Sequence, residues 1–90
     1  MANHPSAEKR NRQRIKRTAR NRAVRTAVRT AVKRARIAIE SGDEASSTLA
    51  QAAAVALARA ARKGVLPRAT ASRTTSRLAR ALNKSAAAKG

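Results

Sequence analysis

The chain has 90 residues, with 22 Lys and Arg against 4 Asp and Glu, for a formal net charge of +18 at pH 7. That length holds one domain, and so much charge of one sign in one small domain repels itself until a polyanion relieves it. There is no cysteine, His4 is the single histidine and no apolar run of about 18 residues occurs, so disulfides, thiolate chemistry, a zinc site, a histidine triad and a membrane-spanning helix are excluded as readings.

The apolar fraction of 42% overstates the core. It comprises 24 alanines, 13 Val, Ile and Leu residues and Met1. Burying a large apolar side chain is worth roughly 1.5–3 kcal/mol, while ordering each residue costs about 1.5 kcal/mol. The isolated fold is therefore expected to be marginal and to gain stability from its partner. The first residues lack the apolar stretch of a secretory signal, so a cytoplasmic location is the expectation, and the small Ala2 favours removal of Met1.

Residues 1–7 read as an extended arm, because Pro5 disfavours helix at His4. Ser6 is a candidate N-cap, although Lys9 stands where a capping box would have Glu. From Ala7 to Ser41 there is no Gly or Pro, which predicts a helix over about 8–41, roughly 50 Å long. Its second half carries an apolar stripe of Val24, Val28, Ala31, Val32, Ala35 and Ile39. A cationic stripe of Arg22, Arg25, Arg29, Lys33 and Arg36 runs beside it. Its first half has no such order: Lys9, Arg10, Arg12, Arg14, Lys16, Arg17 and Arg20 point almost all round, so this half has no face to bury against protein.

Glu40-Ser41-Gly42-Asp43-Glu44 is the clearest break. Gly42 suits the left-handed position after a helix, and either Asp43, or Ser41 with Glu44, can cap the next helix. That helix is expected over 44–63, with a main stripe of Leu49, Ala52, Ala53, Ala56, Leu57 and Ala60. Ala54, Val55 and Ala61 spread apolar character to other faces, which places the helix centrally, between two neighbours. Arg59, Arg62 and Lys63 suit its C-terminal dipole. Gly64 ends it, Val65 and Leu66 form a buried connector, and Pro67 opens a third helix over 67–84. Ala71, Thr75, Leu78 and Leu82 share one face of that helix. Arg73, Arg77, Arg80 and Lys84 share the opposite face. Residues 85–90 are expected to fray. No alternation points to a strand, so the class is all-α: an antiparallel three-helix bundle with an overlong basic N-terminal helix.

The charge runs carry the functional reading. Seven cations within residues 9–20, with no acid between Glu8 and Glu40, repel one another along a helix, whereas a solvated face usually mixes signs. They are read as nucleic-acid contacts. The Arg73, Arg77, Arg80, Lys84 stripe, with Arg68 ahead of it, has the hydroxyls of Thr70, Ser72, Thr74 and Ser76 beside it, which can donate to phosphate oxygens. Arg outnumbers Lys by 16 to 6; the guanidinium fork suits phosphate, although G+C-rich coding also inflates Arg and Ala. Glu40, Asp43 and Glu44 gather at one turn, which is expected to face away from phosphate. With no aromatic residue there is no stacking platform, and the turn of a helix-turn-helix reader is missing. Shape-and-phosphate recognition remains, and a basic rod suits insertion between several RNA helices.

Four motifs now fall in order: Ala2-Asn3-x-x-Ser6-Ala7-x-Lys9-Arg10, Ile39-Glu40-x-Gly42-Asp43, Ala61-Arg62-Lys63-Gly64-Val65-Leu66, and Thr70-Ala71-Ser72-Arg73-x-x-Ser76-Arg77-Leu78. Together they resemble the family of protein twenty of the bacterial small ribosomal subunit, along nearly the whole chain. The resemblance implies a three-helix bundle that binds 16S ribosomal RNA directly, touching its 5′ domain and the long helix near the 3′ end. It also implies an early role in assembly, a place in the cytoplasmic ribosome, and Asn3, Ser6 and Ser76 among the RNA contacts. No cofactor, metal or small-molecule substrate is expected. The alternative reading is a nucleoid DNA-compacting basic protein, which would be expected to carry Lys/Ala/Pro repeats. A membrane-active peptide would need large apolar residues opposite its charge, and residues 9–20 offer only Ile15. An enzyme would need a nucleophile with its base.

Overall fold

The computed structural model describes residues 5–89, with side-chain surroundings for 6–87; residues 1–4, and with them the reading of Asn3 and His4, lie outside it. Within it are three helices and no strand: α1 spans Pro5–Ser41, α2 spans Ser46–Arg62 and α3 spans Arg68–Lys89. α1 begins earlier than its expected start near residue 8. Proline is tolerated at a first helical position because the N–H it lacks would be unpaired there anyway. Ser6, expected just outside the helix, therefore stands within its first turn.

The two turns are built alike. At the first, Gly42 has φ 71°; its N–H donates to the Ile39 carbonyl at 3.2 Å, and that of Asp43 donates to Ala38 at 2.9 Å. At the second, Gly64 has φ 78°, its N–H donates to Ala61 at 3.1 Å and that of Val65 to Ala60 at 2.9 Å. Both are Schellman closures, in which a residue of positive φ lets two N–H groups satisfy the last free carbonyls. In the second, Val65 and Ala60 are also buried together in the core, the apolar contact that often accompanies the motif.

α2 starts at Ser46 rather than 44. The Asp43 carboxylate accepts the Ala45 N–H at 2.8 Å, which closes a local turn and leaves residue 45, with no side-chain cap bond, as the last one outside the helix. The Ser41 hydroxyl donates back to Ala38 at 3.2 Å and takes no part in a capping box with Glu44. Pro67 precedes α3 rather than opening it, and its carbonyl accepts the Ala71 N–H at 3.1 Å.

α2 is the central element, packed against both neighbours, while α1 and α3 meet only marginally. α1 and α3 run parallel, each antiparallel to α2. The core joins Val28, Val32, Ala35 and Ile39 of α1 to Ala50, Ala53, Leu57 and Ala60 of α2, Val65 of the connector and Ala71 and Leu78 of α3. Ala35, Ala53 and Ala60 are wholly buried, and small residues at a contact let helix axes come close. Ala52, expected on the α2 stripe, is exposed and Ala50 is buried instead. In a helix with alanine on every side, periodicity does not single out one face.

α3 continues through Lys89, five residues past its expected end. Ser85 is half-buried and its hydroxyl donates to the Ile39 carbonyl at 3.3 Å, tying this part of α3 to the end of α1. The alanines that follow are strong helix formers. No residue before Val28 is buried among the described ones, so the first half of α1 projects beyond the bundle. The result is a molecule of 69 × 21 × 15 Å with a radius of gyration of 18.1 Å, against about 12 Å for a compact chain of this length.

Candidate nucleic-acid interface

Residues 6–20 of α1 are exposed without exception, Ile15 among them at 60%. At 100° per residue the seven cations of 9–20 cover about 200° of the helix circumference, less than the near-complete ring expected. Asn11, Ile15, Thr18 and Ala19 fill the remaining strip, and Asn11 accepts a hydrogen bond from the Arg14 guanidinium at 3.1 Å. The arc points to a protein-free surface. The angular sector that holds Val28, Val32 and Ile39 in the bundle is occupied by Arg10, Arg14 and Arg17 in the overhang. Where α1 would need an apolar face to go on packing, it carries guanidinium.

Behind the overhang the second stripe is arranged as expected. Arg22, Arg25, Arg29, Lys33 and Arg36 are exposed beside the buried face of α1. On α3, Arg68, Arg73, Ser76, Arg77, Arg80 and Lys84 are exposed too, with Leu78 buried on the far side. Among the described residues no polar or charged side chain is buried. Every lysine and arginine of residues 6–87 thus faces solvent. The three acids of the first turn, Glu40, Asp43 and Glu44, are exposed at the end of the bundle opposite the overhang.

With this surface in view, comparison with known proteins is decisive. The Ribosomal protein S20 family matches residues 2–83. The chain is 56% identical over 88 residues to the small ribosomal subunit protein bS20 of Sorangium cellulosum, covering 98% of this chain and 94% of that one. It is 58% identical over 90 residues to the protein of the same name from an Anaeromyxobacter species, covering 99% and 100%. Against the bS20 of Nitratidesulfovibrio vulgaris it is 51% identical over 86 residues, covering 93% and 98%. The chain belongs to the Ribosomal protein S20 family. It is a structural protein of the small ribosomal subunit, associated with that subunit and its RNA, and not an enzyme. No helix of its described residues is long and apolar enough to cross a membrane.

Within residues 6–87, four cations of this S20-family chain fall outside the set read from the sequence. Arg34, Arg59, Arg62 and Lys63 are as exposed as the rest. Arg34 lies on the opposite flank of the α1 core face from Arg25 and Arg29. Arg62 lines a groove of about 580 Å³ between α2 and α3 together with Arg68, Ser72 and Ser76, over a floor that includes Ala58, Ala61 and Ala71. The tight Gly64 turn was the signal: it must set the last residues of α2 beside the first residues of α3, so Arg62 and Arg68 share a surface. Reading Arg62 only as a partner of the helix dipole missed this.

Proposed function

We propose that the chain binds 16S ribosomal RNA directly, mainly through phosphate, and that it stabilises RNA packing early in assembly of the small subunit. The observation that carries the reading is the overhang: fifteen consecutive exposed residues, 6–20, with guanidinium on the very side where the bundle has its core. A helix with no protein to pack on and a dense one-signed charge is stabilised by polyanion. The Arg22–Arg36 and Arg73–Lys84 stripes extend the contact along two further faces, which suits a protein set between RNA segments. The RNA regions proposed are the 5′ domain and the long helix near the 3′ end.

The test is a salt titration of binding to a 5′-domain RNA fragment. Neutralised phosphates release condensed counterions, so log K falls linearly with log salt. Replacing Arg10, Arg14 and Arg17 with Gln should flatten that slope. Replacing Arg73, Arg77 and Arg80 should flatten it as well, by less. Replacing Glu40, Asp43 and Glu44 with Gln should leave it nearly unchanged, since they sit at the far end. An unchanged slope for both arginine variants would sink the phosphate mechanism.

A further inference from the structure

The groove between α1 and α3 is chemically two-sided. One lip is Arg25, Arg29, Lys33 and Arg36 of α1; the other is Thr70 and Thr74 of α3, over a floor that includes Val32 and Leu57. The groove has a volume of about 500 Å³. Its basic lip runs about 16 Å along α1 at the helical rise, enough for a short stretch of strand.

The threonines are the informative part. Helical Ser and Thr commonly turn their hydroxyl back to a carbonyl three or four residues earlier. Thr26 does so to Arg22, Ser41 does so to Ala38, and Ser85 bonds Ile39. The hydroxyls of Thr70 and Thr74, like those of Ser72, Thr75 and Ser76 on the same helix, make no hydrogen bond among the described residues; what sets the two apart is that they line this groove. They lie one turn apart on the groove side of α3, with Arg77 a short step further round. Their hydroxyls can donate and accept, which phosphate, an acceptor only, does not require.

Resting on the RNA-binding reading above, we infer that this groove holds one RNA strand by its sugar edge and senses the ribose. Phosphates lie along the Arg25–Arg36 lip, the 2′-hydroxyls meet Thr70 and Thr74, and the apolar floor takes the C–H face of the sugars. Charge complementarity selects this occupant: four cations and no acid line the groove. The 2′-hydroxyl is the group by which a protein tells RNA from DNA, so the groove gives a protein without aromatic residues a means of discrimination that phosphate contacts lack.

The full chain is tested on a 5′-domain RNA fragment carrying scattered 2′-deoxy substitutions, and bound and free pools are compared. For the wild type, deoxy substitution at a few neighbouring nucleotides should weaken binding. In a Thr70→Val, Thr74→Val variant that sensitivity should vanish, while sensitivity to phosphate modification persists. Its affinity for unsubstituted RNA should fall about tenfold, as the loss of two ordinary hydrogen bonds implies. Thr70→Ser with Thr74→Ser keeps both hydroxyls and should keep the wild-type pattern, which separates hydroxyl chemistry from packing. Identical deoxy patterns for wild type and the Val variant, or a Ser variant that behaves like Val, would overturn the inference and leave RNA binding intact. A photo-crosslinker on Thr74→Cys in assembled subunits that joins protein instead of RNA would overturn it too. Failure of the wild type to bind the fragment at all would overturn the RNA-binding reading and this inference with it.

Discussion

α1 is one continuous helix with two different reasons to exist. From Val28 to Ile39 it is held by tertiary packing: Val28, Val32, Ala35, Ala38 and Ile39 are buried, and flanking cations point outward. From residue 6 to 20 nothing packs on it. Instead, Lys9–Arg12, Arg10–Arg14, Arg12–Lys16, Arg14–Arg17, Lys16–Arg20 and Arg17–Arg20 set like charges three or four residues apart. Each such pair costs a few tenths of a kcal/mol in an isolated helix. The backbone geometry is the same throughout, yet the inner half is stabilised by the fold and the outer half depends on what it touches. Helicity and stability are separate properties, and a partner can be the missing tertiary structure of a segment.

The buried core is where the difference between the two halves is largest. Leu57 is 2% exposed at the centre of the bundle, and Leu57→Ala should cost about 2–5 kcal/mol. In a core whose buried residues are half alanine, that is most of the stability. A thermal melt followed by circular dichroism should show the cooperative transition lost, with helix recovered on adding RNA. Retained stability would mean that the bundle does not rest on its core.

Gly42→Val should come next, at about 1–3 kcal/mol, because a β-branched residue is strained at φ 71°. Its effect should appear in the melting temperature and not in the salt dependence of RNA binding, since the turn lies far from the overhang. A change in the salt slope without a change in stability would reverse the assignment of that turn.

Ile15→Ala should have the smallest effect. It removes an apolar side chain of the same size class as Leu57, but from a position 60% exposed, so stability should move by less than about 0.5 kcal/mol. A loss comparable to that of Leu57→Ala would mean that something apolar covers the overhang in the free protein, and the contrast between the two halves would collapse.

The bundle was legible in the sequence because its punctuation is strong and local. Gly42 and Gly64 mark the turns through a backbone requirement that few other residues meet. The valine-rich stripe of α1 is unambiguous because its neighbours are charged. α2 was less legible for the opposite reason: with Ala50, Ala52, Ala53, Ala54 and Ala56 in one run, the exposed Ala52 and buried Ala50 differ in tertiary position, not in chemistry. The hold of Ser85 on Ile39 depends on α1 and α3 running parallel, a relation between elements 46 positions apart that no local pattern encodes. The same holds for the candidate site. Which residues are exposed cations could be read directly, but the facing of Arg25 to Arg36 by Thr70 and Thr74, and the meeting of Arg62 with Arg68, exist only once the helices are docked.

The acidic turn has a consequence for how the protein arrives at its target. With Glu40, Asp43 and Glu44 at one tip and seven cations of residues 9–20 toward the other, in a body 69 Å long, the two ends lie several screening lengths apart at physiological salt, where one such length is about 8 Å. Each end is therefore felt separately by an approaching polyanion. Attraction to polyanion is strongest at the overhang and weaker at the turn, where Glu40, Asp43 and Glu44 offset cations such as the neighbouring Lys84.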